Sequence, residues 1–206
     1  FPSGYKKNKQ DEIYAMIMSN AYIGSRKMDG AYYRFIKDMD GNIVLQGRSE
    51  SVNGGFLDKI DWVPHLHSFF DALPRGTCLL GEIYFPNNEG SRHVTTIMGC
   101  LPDKARERQE KGEKLHYYVF DVWAWAGASL LSVTAETRFS QLGYVSECMA
   151  RADNKFIEIA KYYYGQALWD ELMRVRMLDG EGIVITKSNS HAEPGKRTAR
   201  KTLKIK

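Results

Sequence analysis

Cysteine is scarce: there are three, Cys78, Cys100 and Cys148, widely spaced, odd in number and without a Cys-x-x-Cys pair. That excludes a disulfide framework, a paired-cysteine zinc site and dithiol redox chemistry, and it reads as reduced core thiols in a cytoplasmic protein. No run of about 18 apolar residues is present, so no membrane-spanning helix is expected, and no signal-peptide pattern opens the chain. Low-complexity tracts are missing as well. With 43% hydrophobic and 26% charged residues over 206 positions, the chain has the make-up of a globular domain with one substantial core. Histidines are also few, at five. His65 and His67 could share a metal only on a strand, and their segment reads as helical, which assigns them structural or surface roles.

The net charge is +4 and the pI about 8.8, but the positive charge is uneven. Lys196, Arg197, Arg200, Lys201, Lys204 and Lys206 crowd the C-terminal end. A cluster of that kind is either a solvated tail or a surface for phosphates.

The chain also lacks the regular alternation of strands and helices that marks a parallel α/β sheet, and its signals predict an intermixed α+β fold. Acidic residues followed by apolar positions at Ile13, Met16, Ile17 and Ala21 predict a short amphipathic helix, and residues 22–28 then deliver Lys27 to a loop. Residues 31–37 and 43–46, joined by Asp38-Met39-Asp40-Gly41-Asn42, read as a β-hairpin with Arg48 just past its second strand. Asn53-Gly54-Gly55 breaks the chain, and residues 64–73 form a packing helix. Residues 77–85 are an apolar strand carrying Glu82, whose carboxylate must find a partner there.

Residues 91–99 follow as a helix and residues 103–114 as an exposed charged connector. Residues 115–123, rich in aromatic and β-branched side chains, are the clearest strand, with Phe120 inside it. A helix starting at Thr134 is expected to run to about Ala150, followed by a strand at 156–160 and a helix over 166–178. Asp179-Gly180 ends that helix and leaves Glu181 at a glycine-flanked entrance to the strand 183–186. Residues 188–195 read as a polar loop. The closing strand, 200–206, puts Lys204 and Lys206 on one face, where together they could grip a phosphate.

The residue around which these features make chemical sense is Lys27. An amine attacks only when unprotonated, so a reactive lysine needs desolvation or nearby cations, which the C-terminal lysines could supply. The tetrapeptide Lys27-Met28-Asp29-Gly30 is short enough to recur by chance. It heads an ordered series, however: Gly47-Arg48-Ser49, Gly81-Glu82-Ile83-Tyr84, Tyr118-Val119-Phe120-Asp121, Gly180-Glu181-Gly182-Ile183-Val184 and Lys204-Ile205-Lys206. This series resembles, in order and over nearly the whole chain, the motifs of the covalent nucleotidyltransferases, the superfamily of ATP-dependent polynucleotide ligases and mRNA capping enzymes. Within it the chain most resembles the compact ATP-dependent DNA ligases of viruses and phages.

The resemblance implies an α+β nucleotidyltransferase (ATP-grasp-like) domain over 1–206, with antiparallel sheets flanked by helices and the nucleotide in the groove between them. It implies that Lys27 takes AMP from ATP as a lysyl-AMP adduct, with Lys204 and Lys206 offsetting phosphate charge. Glu181 would be a Mg²⁺ ligand, Glu82 would contact ribose or metal, Phe120 would stack on adenine, and Arg48 would touch the nucleotide. Asp29 would serve later steps. AMP would then pass to the 5′-phosphate of nicked double-stranded DNA, and the 3′-hydroxyl would seal the nick. Mg²⁺ suits hard oxygen ligands and phosphates.

Two departures stand out. DNA ligases usually extend the first motif to Lys-x-Asp-Gly-x-Arg, and here that last position is Tyr32, with Arg34 two residues on. The family's C-terminal OB-fold domain, which helps orient pyrophosphate and closes on DNA, is expected in a longer protein of which this chain would be the excised catalytic part, acting as a monomer. The residues leave open a GTP-dependent capping guanylyltransferase, an RNA ligase, and a non-catalytic basic module that merely binds nucleic acid.

Overall fold

A computed structural model describes residues 3–4, 9–50, 54–87, 90–195 and 201–206. Asn53 of the glycine break and Lys196, Arg197 and Arg200 of the basic cluster lie outside the described residues. Among those residues the strands are β1 (Ser3–Gly4), β2 (Tyr22–Arg26), β3 (Gly30–Lys37), β4 (Ile43–Glu50), β5 (Phe56–Asp58), β6 (Thr77–Tyr84), β7 (His116–Trp125), β8 (Ala128–Ser129), β9 (Ile157–Ile159), β10 (Ile183–Lys187) and β11 (Thr202–Ile205). The α-helices are α1 (Gln10–Met18), α2 (His67–Ala72), α3 (Gly90–Met98), α4 (Pro102–Lys111), α5 (Ala135–Ser140), α6 (Leu142–Ala152) and α7 (Gly165–Met177). They build two compact units: one of Phe1–Met28, Leu131–Ser140 and Ala160–Lys206, the other of Asp29–Leu130 and Gln141–Ile159.

The first unit is a four-stranded sheet in the order β1-β11-β10-β2, antiparallel except for the parallel β1–β11 pair. Its core follows from helical spacing. Ile13 and Ile17 of α1 and Leu168, Leu172 and Val175 of α7 each line up along one helix face and close over Ile183, Ile185 and Ile205. Asp11 and Glu12 sit in the first turn of α1, where carboxylates favour the helix dipole. Ile23 of β2 belongs to a second cluster, with Ala135 and Phe139 of α5. Gly24 of β2 has no room for a side chain, because a Cβ would stand 2.7 Å from Leu168 Cδ1.

The second unit is a larger sheet, β5-β4-β3-β6-β7-β8, with β9 added in parallel to β7. Its β3–β4 turn is built by Asp38, whose carboxylate accepts the backbone N–H groups of Gly41 at 2.7 Å and Asn42 at 2.8 Å. One sheet face buries Phe35, Leu45, Leu79, Ile83 and Tyr117. Phe70 of α2 stacks on Phe35 at 4.3 Å between ring centroids and meets Tyr117 edge-on at 5.9 Å. Gly81 is required here because a Cβ would overlap the Tyr117 ring.

Four expectations change. The segment before Lys27 is a true strand, β2, held on β10. Arg48 lies inside β4, not past it, because the polar stretch Gln46–Glu50 keeps pairing beyond the hairpin's apolar half. The expected connector at 103–114 is largely helix α4, which buries only Ala105 and Gln109; the Gln109 amide donates to Trp62 O at 2.8 Å. The helix expected from Thr134 to about Ala150 is broken at Gln141 into α5 and α6.

Candidate active site

The lysine-bearing unit brings its charged groups together at one end of its sheet. The antiparallel register places Arg26 across from Ile183 and Ile183 across from Ile205. The residues that leave these three strand ends are therefore neighbours: Lys27 after β2, Glu181 before β10, and Lys206 after β11. The Lys27 amide continues the pairing with a hydrogen bond to Gly182 O at 2.9 Å. Gly182 has φ +96°, and a Cβ there would overlap the Ile205 carbonyl oxygen, so only glycine lets β11 approach so closely.

At that end Lys27 Nζ is 2.8 Å from Glu181 Oε2, and Lys206 Nζ is 3.2 Å from Glu181 Oε1. One carboxylate thus bridges two ammonium groups. Lys27 is well covered, with 14% of its side chain exposed, whereas Lys206 is 68% exposed. Lys27 Nζ also donates to Met28 O at 3.1 Å. Desolvation pushes the Glu181 carboxyl up, but hydrogen bonds and charge from Lys27, then Lys206, outweigh it and hold the group below the usual glutamate value. Lys206 is tied down through its backbone too, its carbonyl accepting from Arg176 at 2.6 Å. Lys204 sits within β11 across from Val184, half-buried.

The larger unit gathers different groups on the sheet face opposite its core. Tyr32 of β3 lies directly across from Glu82 of β6, and Glu82 across from Tyr118 of β7. Tyr33 pairs with Gly47, which sets Arg48 beside Tyr32. The Arg48 guanidinium stands over the Tyr32 ring, 5.2 Å from its centroid. Desolvation lowers the Arg48 pKa, opposed by Tyr32 and by the charge of the Glu82 carboxylate.

Phe120 occupies a β-bulge: Gly81 pairs with Val119 and Leu80 with Asp121, so Phe120 is the extra residue. Its ring lies 6.4 Å from that of Tyr32, tilted by 45°. Burial pushes the Tyr32 hydroxyl up to about 12, so it is a neutral phenol at physiological pH.

Asp29 takes up a position that the sequence did not suggest. Its carboxylate accepts the Ser91 amide at 3.3 Å, in the first turn of α3, where the helix dipole favours an anion. Gly30, next to it, lies so close to β6 that a Cβ would overlap Ile83 O. Tyr32 itself was legible only as a departure from a motif; its place beside Arg48, Glu82 and Phe120 depends on strand register.

Among the described residues no three His, Cys, Asp or Glu side chains converge as a ready metal cage, and no helix is long and apolar enough to cross a membrane. Mg²⁺ needs no such cage, since it takes one or two protein carboxylates and completes its shell with phosphates and water, and Glu181, now held by two lysines, is a carboxylate of the right kind.

By sequence, no curated protein matches the chain. In overall structure it is similar to a Lig E DNA ligase described as binding DNA with a minimal scaffold, at 18% identity and TM-score 0.65, covering 100% of this chain and 67% of that one. The ligase domain of LigD from M. tuberculosis gives 17% identity and TM-score 0.66, over 98% of this chain and 59% of that one. The ATP-dependent DNA ligase of bacteriophage T7, in complex with ATP, gives 14% identity and TM-score 0.62, over 99% and 67%. At these identities the likeness establishes the fold, and the chain spans about three-fifths to two-thirds of each relative's length. The model of the ATP dependent DNA ligase domain matches residues 6–206, and the chain belongs to that family.

Proposed function

We propose that the chain is the adenylation domain of an ATP-dependent DNA ligase and that Lys27 is its nucleophile. The observation that carries the reading is the covered Lys27 amine held 2.8 Å from Glu181, with Lys206 on the same carboxylate, in a chain of this family. Lys27 Nζ attacks the α-phosphorus of ATP. The ammonium first loses one proton to water; as the P–N bond forms and the bond to the bridging oxygen of pyrophosphate breaks, the nitrogen releases a second proton to the departing pyrophosphate or to water and keeps one N–H. The product is lysyl-AMP.

Lys206 and Lys204 offset negative charge at the phosphate, and the sheet end fixes the backbone of Lys27, whose amine leaves Glu181 to reach the phosphorus. In the larger unit Phe120 offers a ring for adenine, Arg48 a guanidinium for the nucleotide, and Glu82 a carboxylate for ribose or metal. Mg²⁺ would be held by Glu181 with the ATP phosphates, where it would supply charge neutralisation. AMP then moves from Lys27 to the 5′-phosphate of nicked duplex DNA, and the 3′-hydroxyl displaces it. Asp29, anchored at the start of α3, serves these later steps.

The test is incubation with Mg²⁺ and either α-labelled ATP or α-labelled GTP, after removal of any pre-bound AMP, followed by intact mass and acid treatment. An acid-labile AMP adduct supports the reading. A GMP adduct assigns the chemistry to capping. Salt-sensitive nucleic-acid binding with no adduct from the full-length protein contradicts any covalent role and leaves a binding module.

A further inference from the structure

The most informative group outside the charged cluster is Tyr32. Three observations meet on it. Its ring carries the Arg48 guanidinium at 5.2 Å, it faces Phe120 at 6.4 Å, and it stands across the strand pair from Glu82. Arg48 is consequently bounded on one side by an aromatic face and within the field of a carboxylate.

A long arginine side chain loses much rotamer freedom when it is fixed on a ligand, and a surface that fixes it beforehand removes that cost from binding. A ring is well suited to this, since a planar guanidinium stacks on it and keeps its N–H edges for oxygen acceptors. A second arginine at position 32 would instead bring like charge against Arg48 on the same sheet face.

We propose that Tyr32 is a positioning residue for the nucleotide: its ring holds Arg48 in the orientation in which the guanidinium meets an oxygen of bound ATP. The inference rests on the adenylation reading for the identity of the ligand, and it concerns affinity, not the transfer step. Tyr32 therefore acts through Arg48, and the two residues should behave as one unit toward ATP. It also accounts for the tyrosine at a position where the resembling ligases usually carry arginine. In this chain the cation is supplied from β4 and the seat from β3.

The test is a double-mutant cycle read by equilibrium binding of ATP to the full-length protein, with adduct formation followed separately. Tyr32→Leu is expected to weaken ATP binding by about tenfold, equivalent to about 1.4 kcal/mol, while the limiting rate of adduct formation at saturating ATP stays within about threefold of wild type. In an Arg48→Ala background the same substitution should cost less than about twofold, because there is no longer a guanidinium to hold. Tyr32→Phe keeps the ring and should recover most of the affinity. Tyr32→Arg should bind ATP as weakly as Tyr32→Leu.

A full tenfold loss in both backgrounds, a wild-type affinity for Tyr32→Arg, or a loss confined to the limiting rate overturns the proposal. A wild type that binds ATP but forms no adduct contradicts the adenylation reading and leaves the cycle readable; a wild type that binds no ATP overturns both.

Discussion

The two units hold their candidate site residues in opposite ways. In the smaller one the groups are charged and cluster at the ends of strands, where β2, β10 and β11 converge and a single carboxylate, Glu181, satisfies two lysines. In the larger one they lie on one sheet face, β4-β3-β6-β7, and the organising contacts are rings: Tyr32 under Arg48 and beside Phe120. A cluster of charges needs partial burial and exact pairing to be held, which strand ends and close-approach glycines provide. A face that receives a flat base needs area and stiffness, which a pleated sheet with aromatic side chains provides. The division predicts that changes in the lysine-bearing unit act mainly on the rate of covalent transfer, and changes on the sheet face mainly on nucleotide affinity.

The largest effect expected is from Lys27→Ala, which should abolish adduct formation, a loss beyond about 10³-fold, while ATP binding falls far less. Next is a backbone change. Gly182→Ala forces a positive-φ position and pushes a Cβ into Ile205 O, and it should destabilise the fold by about 3 kcal/mol in chemical denaturation. The loss should be accompanied by slower transfer, because the same glycine lets the Lys206-bearing strand approach Glu181. Glu181→Gln keeps the shape but removes the charge shared by Lys27 and Lys206, and should slow transfer by about 100-fold with ATP affinity changed less.

The larger unit supplies a pH-dependent contrast. Burial, reinforced by Lys114, His116 and His67 and opposed by the Leu115 carbonyl, drives His65 down to about 4 from an ordinary 6.5. Its Nε2 donates to Leu115 O at 2.8 Å, which fixes the neutral tautomer. A histidine with a lowered folded pKa binds fewer protons folded than unfolded between those values. Its stabilising contribution is therefore complete above pH 6.5 and is lost as pH falls toward 4. The loss should be on the order of 3 kcal/mol, and denaturation of His65→Gln across pH 4 to 7 should lack that component. Phe120→Leu, the mildest, should raise the ATP concentration for half-saturation by about tenfold and leave the limiting rate nearly unchanged; a fall in rate alone would erase the contrast between the units.

Most elements were legible from periodicity, because the helices α1 and α7 and the strands β6, β7 and β10 bury apolar residues at their natural spacing. Helix α4 was not, since it is charged nearly all round and docks through Ala105 and one buried amide, Gln109. The continuation of β4 to Arg48 was hidden because its outer half is polar on both faces. At the site, the charges of Lys27, Glu181 and Lys206 were readable from an ordered series of short motifs. The aromatic face was only partly readable, because the bulge that re-aims Phe120 and the register that seats Arg48 on Tyr32 are pairing properties between strands, and no single strand's sequence encodes them. The docking of Asp29 on α3 joins residues 62 positions apart and carried no local signal.

The central claim is that Lys27, and no other lysine, carries the nucleotide. Incubation with Mg²⁺ and α-labelled ATP, followed by peptide mass mapping under non-acidic conditions, tests it most directly. The account predicts a single AMP-bearing peptide containing Lys27, absent from Lys27→Ala. AMP on Lys204 or Lys206, or an undiminished adduct in Lys27→Ala, would contradict it.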